Sequence, residues 1–221
     1  MDWSSAYVSI ALAFGTTFLL LPIGIVLARW LSLNNSRLKA LVEACLLLPL
    51  LLPPTVLGFY WLTVFGKASF LGSFLERHLQ LSLVFTFEGL LLASLFINLP
   101  FMVQPIQRAF DAVEQNLREA AWVGGLSQWR TFLKIELPLV IRGIVAGCAM
   151  TFAHTLGEFG VVLLVGGNID SKTRTLSIAI YDKVQAFDIN AAHLMALTLV
   201  VFSMLALVIV FAMQRHSPKA A

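Results

Sequence analysis

The chain has 221 residues, of which 59% are hydrophobic and 12% are charged, and its mean hydropathy is +0.87. Soluble domains carry about a quarter charged residues, so this composition excludes an ordinary water-soluble fold and indicates an integral membrane protein. The net charge of +3 is small and the basic residues adjoin apolar blocks, which is typical of membrane orientation rather than nucleic-acid binding. Cys45 and Cys148 lie in apolar segments and predict neither a disulfide nor a metal site.

Five apolar segments are long enough to cross a membrane, which takes about 20 mostly apolar residues. Lipid offers no hydrogen-bond partner to the backbone, so each span is expected to be helical. The sequence therefore predicts an all-α integral membrane protein with one transmembrane domain over residues 1–221. No basic segment precedes the first apolar block, which we expect to be a retained span rather than a signal peptide. The spans are predicted at about 7–28, 41–65, 81–103, 139–165 and 191–213.

Prolines interrupt two of these spans. The second contains Pro49 and the pair Pro53–Pro54, and the third contains Pro100. Proline removes a helical hydrogen bond and kinks the helix, so neighbouring groups must satisfy the freed carbonyls. Such a kink suits a helix that lines a cavity, and it suits a packed structural helix equally well.

The basic residues predict the orientation. Ten of them fall on one side of the five spans and five on the other, and the side with more lysine and arginine faces the cytoplasm. The N-terminus is therefore expected outside, and the segment 105–138 and the C-terminus in the cytoplasm. The ten are Arg29, Arg37, Lys39, Arg108, Arg118, Arg130, Lys134, Arg142, Arg215 and Lys219; the five are Lys67, Arg77, Lys172, Arg174 and Lys183.

An outer segment from Asp170 to Asn190 mixes apolar and charged residues. This pattern fits an amphipathic helix lying on the outer face, and it also fits a plain surface loop.

The polar segment between the third and fourth spans is the most soluble part of the chain. Residues 108–118 have apolar residues at helical spacing and predict one helix, which Gly124 and Gly125 should end. Ser127 is expected to cap a second short helix that runs to about residue 135 and is closed by Leu137–Pro138. A helix, a glycine turn and a helix with exposed aromatic residues form a shape that fits a groove on a partner protein.

The fixed positions of this segment resemble the EAA loop of permease subunits of bacterial ABC importers, with the spacing EAA-x3-G-x9-I-x-LP. The matching residues are Glu119, Ala120, Ala121, Gly125, Ile135, Leu137 and Pro138. The resemblance implies a type I importer permease whose loop forms a coupling helix seated in a cleft of an ATPase subunit. It also implies an extracytoplasmic binding protein and two ATPase subunits. The chain has no G-x-x-x-x-G-K-[ST] loop, so we expect no enzyme activity and no cofactor on this chain, with ATP and Mg on the partner ATPase.

Two further stretches resemble molybdate permease subunits of bacterial inner membranes. They are LPLLLPPTVLG at 48–58 and LGEFG at 156–160, the latter followed by Gly167–Asn168 and TRT at 173–175. The resemblance implies import of molybdate, with tungstate as a further cargo. Because LGEFG recurs in sulfate and thiosulfate permeases, those anions remain the alternative. One five-span chain cannot easily enclose a pathway whereas a symmetric pair can, so a homodimer is expected.

Ionisable residues inside a span are candidates for function. The candidate pathway or gate residues are Pro53, Pro54, His154, Gly157, Glu158 and Gly160. Glu158 either forms a gate or stabilises a helix break at the flanking glycines, and His154 either pairs with it at i, i+4 or is simply packed. A membrane enzyme using His154 and Glu158 is a weaker alternative, because no third ligand or nucleophile is near. Arg142 is expected to anchor the fourth span at the interface.

Overall fold

The computed structural model describes residues 2–215, and that part of the chain contains helices and no strand. The predicted all-α fold is confirmed. Of the basic residues used to predict orientation, Lys219 lies outside the described residues. The helices are α1 (Trp3–Leu33), α2 (Arg37–Leu51), α3 (Pro54–Phe65), α4 (Phe70–Leu79), α5 (Phe87–Asp111), α6 (Gln115–Val123), α7 (Gln128–Thr131), α8 (Leu137–Gly157), α9 (Gly160–Gly166), α10 (Leu176–Gln185) and α11 (Ile189–Arg215).

Four described helical runs are long and apolar enough to cross a membrane, and the bent pair α2–α3 makes a fifth span if it is counted as one. The four runs are Trp3–Leu33, Phe87–Asp111, Gln128–Gly157 and Ile189–Val208. Helices α1, α5 and α8 pack together around the main buried cluster, while α11 packs on α8 and α10. At about 1.5 Å per residue the 31-residue α1 is longer than a bilayer core.

The second span is two helices rather than one kinked helix. Helices α2 and α3 meet at an angle of 108°. Leu52 and Pro53 both have extended backbone, because a residue that precedes proline avoids the helical region. Pro54 then starts α3, where no N–H donor is needed. Pro49, by contrast, lies inside α2.

The ends of the third and fourth spans also differ from the sequence expectation. Helix α5 begins at Phe87 rather than near residue 81. Residues 81–86 are not helical, and Phe85 N–H donates instead to the Val165 carbonyl at 2.8 Å. The fourth span breaks at Glu158 and Phe159 between α8 and α9. The short helix α4 has no counterpart among the predicted elements. The segment from Asp170 to Asn190 was expected to be either a helix or a loop, and it contains the helix α10.

Two glycines let α5 and α8 approach closely. A Cβ atom on Gly143 would lie 2.5 Å from Ala109 Cβ and 2.7 Å from the Pro105 carbonyl oxygen. A Cβ on Gly147 would lie 2.8 Å from the Met102 carbonyl oxygen. Gly143 and Gly147 form a G-x-x-x-G stripe, the small-residue pattern that membrane helices use to bring their backbones together.

We expect Gly143→Ala to lower the thermal stability of the purified protein in detergent. Alanine gains about 1 kcal/mol in helix propensity over glycine, but overpacking against a neighbouring backbone costs about 1–3 kcal/mol, so the cost wins. Gly157→Ala is the matched control, because a Cβ there meets nothing within 4 Å. A Gly143→Ala protein that melts at or above the wild-type temperature would contradict the close α5–α8 approach.

Candidate functional site

The EAA residues lie on a separate short helix. The predicted helix over 108–118 is wrong: α5 ends at Asp111, the chain turns through residues 112–114, and α6 begins at Gln115. The turn leaves Phe110 and Val113 both buried in the main cluster. Helix α6 carries Glu119 and Ala120 exposed and Ala121 buried.

The predicted glycine turn is confirmed. Leu126 N–H donates to the Ala121 carbonyl and Gly125 N–H to the Trp122 carbonyl, both at 3.0 Å. This is the Schellman pattern of a helix C-terminus, which places a left-handed residue after the cap. That residue is Gly125, with φ of +82°.

Ser127 caps α7 as predicted, since its Oγ accepts from Arg130 N–H at 3.4 Å. Leu137–Pro138 does not close this helix, however. The helix continues from Gln128 to Gly157 through a π-helical turn at Phe132–Glu136. Proline lacks an N–H and clashes with the carbonyl four residues earlier in a regular α-helix. The wider turn changes the register just before Pro138, so that Leu137 N–H donates to the Phe132 carbonyl.

The surface of this loop carries large apolar side chains. Trp122, Val123 and Trp129 are exposed, and Val123 has 91% of its surface accessible. Ile135 and Leu137 are half-buried and Pro138 is exposed. The loop therefore offers an apolar contact surface around the glycine turn.

A buried carboxylate holds the base of this loop, and sequence reasoning missed it. Glu136 is fully buried and lies between two arginines. Arg29 Nε donates to Glu136 Oε2 at 2.5 Å, and Arg118 Nε donates to Glu136 Oε1 at 3.1 Å. The Arg29–Glu136–Arg118 triad joins the end of α1, the EAA helix α6 and the π-helical turn.

The two arginines have further contacts that fix the triad. Arg118 Nη2 donates to the Phe110 carbonyl at 3.1 Å, and the Arg29 guanidinium lies 5.0 Å from the centre of the Phe132 ring. The available sequence signal was an acidic residue between Ile135 and Leu137, directly before an apolar span. A carboxylate at such a place needs a cationic partner.

The candidate pathway residues gather where α8 breaks. Glu158 is buried, and its Oε1 accepts from Val161 N–H at 3.3 Å, so it caps the start of α9. His154 Nε2 lies 3.8 Å from Glu158 Oε2, and His154 Nδ1 lies 3.1 Å from Asn98 Oδ1. Phe101 stacks on the imidazole with ring centres 4.0 Å apart. The predicted i, i+4 proximity and the helix break are both present.

The elbow of the second span meets this break. A Cβ atom on Gly160 would lie 2.8 Å from Pro54 Cβ, and one on Gly58 would lie 2.8 Å from Leu164 Cβ. Helices α3 and α9 therefore pack through two glycines, and Pro54 is brought to Gly160. Pro53 and Pro54 are exposed in the single chain, as is Gly157. In the described part of the chain no group of three His, Cys, Asp or Glu side chains is placed to hold a metal ion.

The TRT segment has a structural role on the predicted outer side. Arg174 Nε donates to Asn168 Oδ1 at 2.6 Å, and its Nη1 lies 3.4 Å from Asp170 and 4.0 Å from Asp2. Burial, the largest single influence, raises the pKa of Asp2, but hydrogen bonds from Ser5 and the charge of Arg174 together hold it below its usual value. The buried Thr173 hydroxyl donates to the Gly166 carbonyl at 2.7 Å.

Residues 20–220 match the family described as the binding-protein-dependent transport system inner membrane component. The chain belongs to this family. It is thus a multi-pass membrane permease, and its family places it in the inner membrane.

Curated relatives cover most of the chain. A molybdenum transport system permease protein of Azotobacter vinelandii is 44% identical over 215 residues, 97% of this chain and 95% of its own length. The corresponding protein of Escherichia coli strain K12 is 35% identical over 83% of this chain and 80% of its own length. A probable sulfate transport system permease protein of Anthoceros angustus is 34% identical over 93% of this chain and 72% of its own length.

Among solved structures, the chain resembles a bacterial ABC transporter involved in import of the acidic polysaccharide alginate. The TM-score is 0.74 with 16% identity, over 96% of this chain and 80% of that one. A second structure, of a bacterial alginate ABC transporter in complex with an alginate pentasaccharide-bound periplasmic protein, has a TM-score of 0.70, 18% identity, and covers 94% of this chain and 75% of that one. At this identity the likeness concerns the fold, which is that of an ABC importer permease.

We expect Glu136→Gln to destabilise the protein by roughly 3 kcal/mol, because it leaves two arginine charges beside a neutral, buried partner. Glu119→Gln is the matched control: the same change on an exposed carboxylate should stay within about 0.5 kcal/mol. Thermal unfolding of both purified variants measures the difference. Equal losses at the two positions would contradict the buried triad.

Proposed function

We propose that this chain is the membrane-spanning subunit of an ATP-driven importer of molybdate, with tungstate as a further cargo. The observation that carries the proposal is the 44% identity to a molybdenum transport permease over nearly the whole chain. The segments LPLLLPPTVLG and LGEFG support it through their resemblance to molybdate permease subunits, and they form the elbow of the second span and the break of the fourth.

The coupling loop at 105–138 receives force from a separate ATPase subunit that holds ATP and Mg. Two features of the loop support this role. Its tip exposes Trp122, Val123 and Trp129, which fit an apolar cleft. Its base is tied to α1 and to the start of α8 by the Arg29–Glu136–Arg118 triad. A push on α6 therefore moves the transmembrane helices instead of bending the loop.

The complete transporter is a homodimer of this chain with two ATPase subunits and an extracytoplasmic oxyanion-binding protein. The N-terminus lies outside and the C-terminus in the cytoplasm, and the distribution of lysine and arginine supports this orientation. The segment Asp170–Asn190 is the docking surface for the binding protein, because α10 and its flank expose Tyr181, Val184 and Phe187. This exposed outer surface supports contact with a second protein.

The gate lies where the two broken spans meet. Helix breaks let short segments rotate without disturbing the packed bundle of α1, α5 and α8. Pro53 and Pro54 form one break, and Gly157 to Gly160 form the other. At the second break Glu158 Oε1 accepts from Val161 N–H, and His154 lies beside the carboxylate and contacts Asn98. Glu158 therefore acts as a hinge cap rather than as an anion ligand.

Sulfate is the second candidate cargo, because a probable sulfate transport permease is 34% identical over 93% of this chain. Proteoliposomes containing this chain, its ATPases and its binding protein test both candidates. We expect ATP-dependent uptake of labelled molybdate that unlabelled tungstate inhibits and equimolar sulfate does not. The control is the same preparation with a hydrolysis-deficient ATPase. Uptake that persists in the control would refute the importer assignment, and uptake of sulfate alone would favour the second cargo.

Substitutions at Gly125 test the coupling turn. Its φ of +82° strains most side chains by about 1–2 kcal/mol, while asparagine tolerates that region. We expect Gly125→Val to abolish transport while ATP hydrolysis by the partner persists or assembly fails, and Gly125→Asn to retain most transport. Gly124→Ala is the control, since Gly124 has φ of −74°. Normal transport by Gly125→Val would show that the turn does not couple.

A further inference from the structure

A cavity of about 440 Å³ lies between α5 and α8 at the end of these helices that carries the coupling loop. One wall comes from α5, with Phe101, Gln104 and Arg108, and the other from α8, with Arg142 and Met150. Leu50 of α2 closes part of the rim. Two arginines and a glutamine thus line a cavity whose remaining lining is apolar.

Neither arginine is neutralised within the described chain. No side-chain hydrogen bond or ion pair joins Arg108 or Arg142 to another described residue, whereas Arg29, Arg118 and Arg174 are all paired with carboxylates. Arg142 is half-buried and Arg108 is exposed. Anchoring at the membrane interface does not require two arginines from different helices to face one cavity.

The nearest carboxylates belong to an adjoining cavity of about 300 Å³. Glu43 and Asp111 line that second cavity, which shares Pro100, Gln104 and Arg108 with the first. Glu43 Oε1 accepts a hydrogen bond from Gln107 Nε2 at 2.8 Å and lies 3.9 Å from Lys39 Nζ. The larger cavity has a net positive lining, and the acidic residues beside it limit how strongly an anion is held.

The cavity continues the line of the candidate pathway. Phe101 lines it and also stacks on His154, which contacts Asn98 and Glu158 at the break of α8. An anion that passes the break therefore reaches the Phe101 side of the cavity first and the two arginines next.

We propose that Arg108 and Arg142, with Gln104, form a weak binding site for a tetrahedral oxyanion. It is the last site that the anion occupies before release to the cytoplasm. The planar guanidinium groups match two oxygens of such an anion each, and the amide of Gln104 adds a donor. A site on a transport pathway must bind weakly enough to release its cargo, which fits an exposed Arg108 and nearby carboxylates. This inference rests on the proposed oxyanion import.

Equilibrium binding of labelled molybdate tests the site in the assembled permease–ATPase complex. The complex is placed in nanodiscs of phosphatidylcholine with no binding protein present and with ATPase sites filled by a nucleotide analogue. We expect Arg142→Gln and Arg108→Gln each to weaken binding by about tenfold, the effect of losing one charge-assisted contact. Arg142→Lys should lose less, because it keeps the charge but not the bidentate geometry.

Transport kinetics give a second readout in the same variants. The KM for uptake is set by the binding protein and should stay unchanged, while the maximal rate falls. Arg37→Gln is the matched control, since Arg37 is exposed at the start of α2 on the same predicted side and does not line the cavity. It should bind and transport like the wild type.

Three results separate the possibilities. Unchanged molybdate binding in both glutamine variants overturns the site while leaving the importer assignment intact, provided that the wild type transports. Variants that lose stability only in phosphatidylglycerol nanodiscs, with oxyanion binding intact, would assign the arginines to a lipid headgroup and also overturn it. A wild-type complex that takes up no oxyanion refutes the proposed function itself.

Discussion

The structure depends on one buried carboxylate. Glu136 has no access to solvent and lies between Arg29 and Arg118. Removing charges from water is costly, and a buried ion pair often contributes little net stability compared with apolar residues of the same shape. Its value lies in geometry, because Glu136 contacts arginines from α1 and α6 at once and so ties both helices to the π-helical turn. The EAA helix therefore has a defined position relative to the membrane helices even without an ATPase bound.

This fixed base divides the molecule into a rigid part and a jointed part. Helices α5 and α8 pack through Gly143 and Gly147 with their backbones in close approach, α1 packs on both, and that packing resists deformation. The second and fourth spans, by contrast, are broken, and their short halves α3 and α9 pack on each other. In the proposed function a force applied at α6 would pass through Glu136 into the rigid helices. The joints at Pro53–Pro54 and Glu158 would then be the places where the chain changes shape.

The parts of this fold that could be predicted from sequence follow from local chemistry. Runs of apolar residues locate the spans, and a serine hydroxyl caps α7. A glycine is favoured at position 125, where φ is positive. The parts that could not be predicted depend on partners far away in sequence. Arg29 and Glu136 are 107 residues apart, and no periodicity connects them. Pro138 was expected to end a helix, because proline disrupts the regular α-helical hydrogen-bond pattern. The π-helical turn directly before Pro138 changes that pattern, so the helix continues. The 108° elbow likewise required knowing that α3 packs on α9.

The distribution of charge along α5 and α8 is compatible with a glutamate in the proposed anion pathway. Glu158 is buried, accepts from Val161 N–H and lies beside His154, so the carboxylate is held by the break itself and is not presented as a free ligand. Toward the coupling loop, Arg108 and Arg142 remain without carboxylate partners in the described chain. The carboxylate is thus fixed at the helix break, and two arginines without carboxylate partners among the described residues lie beyond it. In the proposed pathway a dianion that leaves the break would meet this cavity, and the carboxylates beside it would weaken the attraction enough for release.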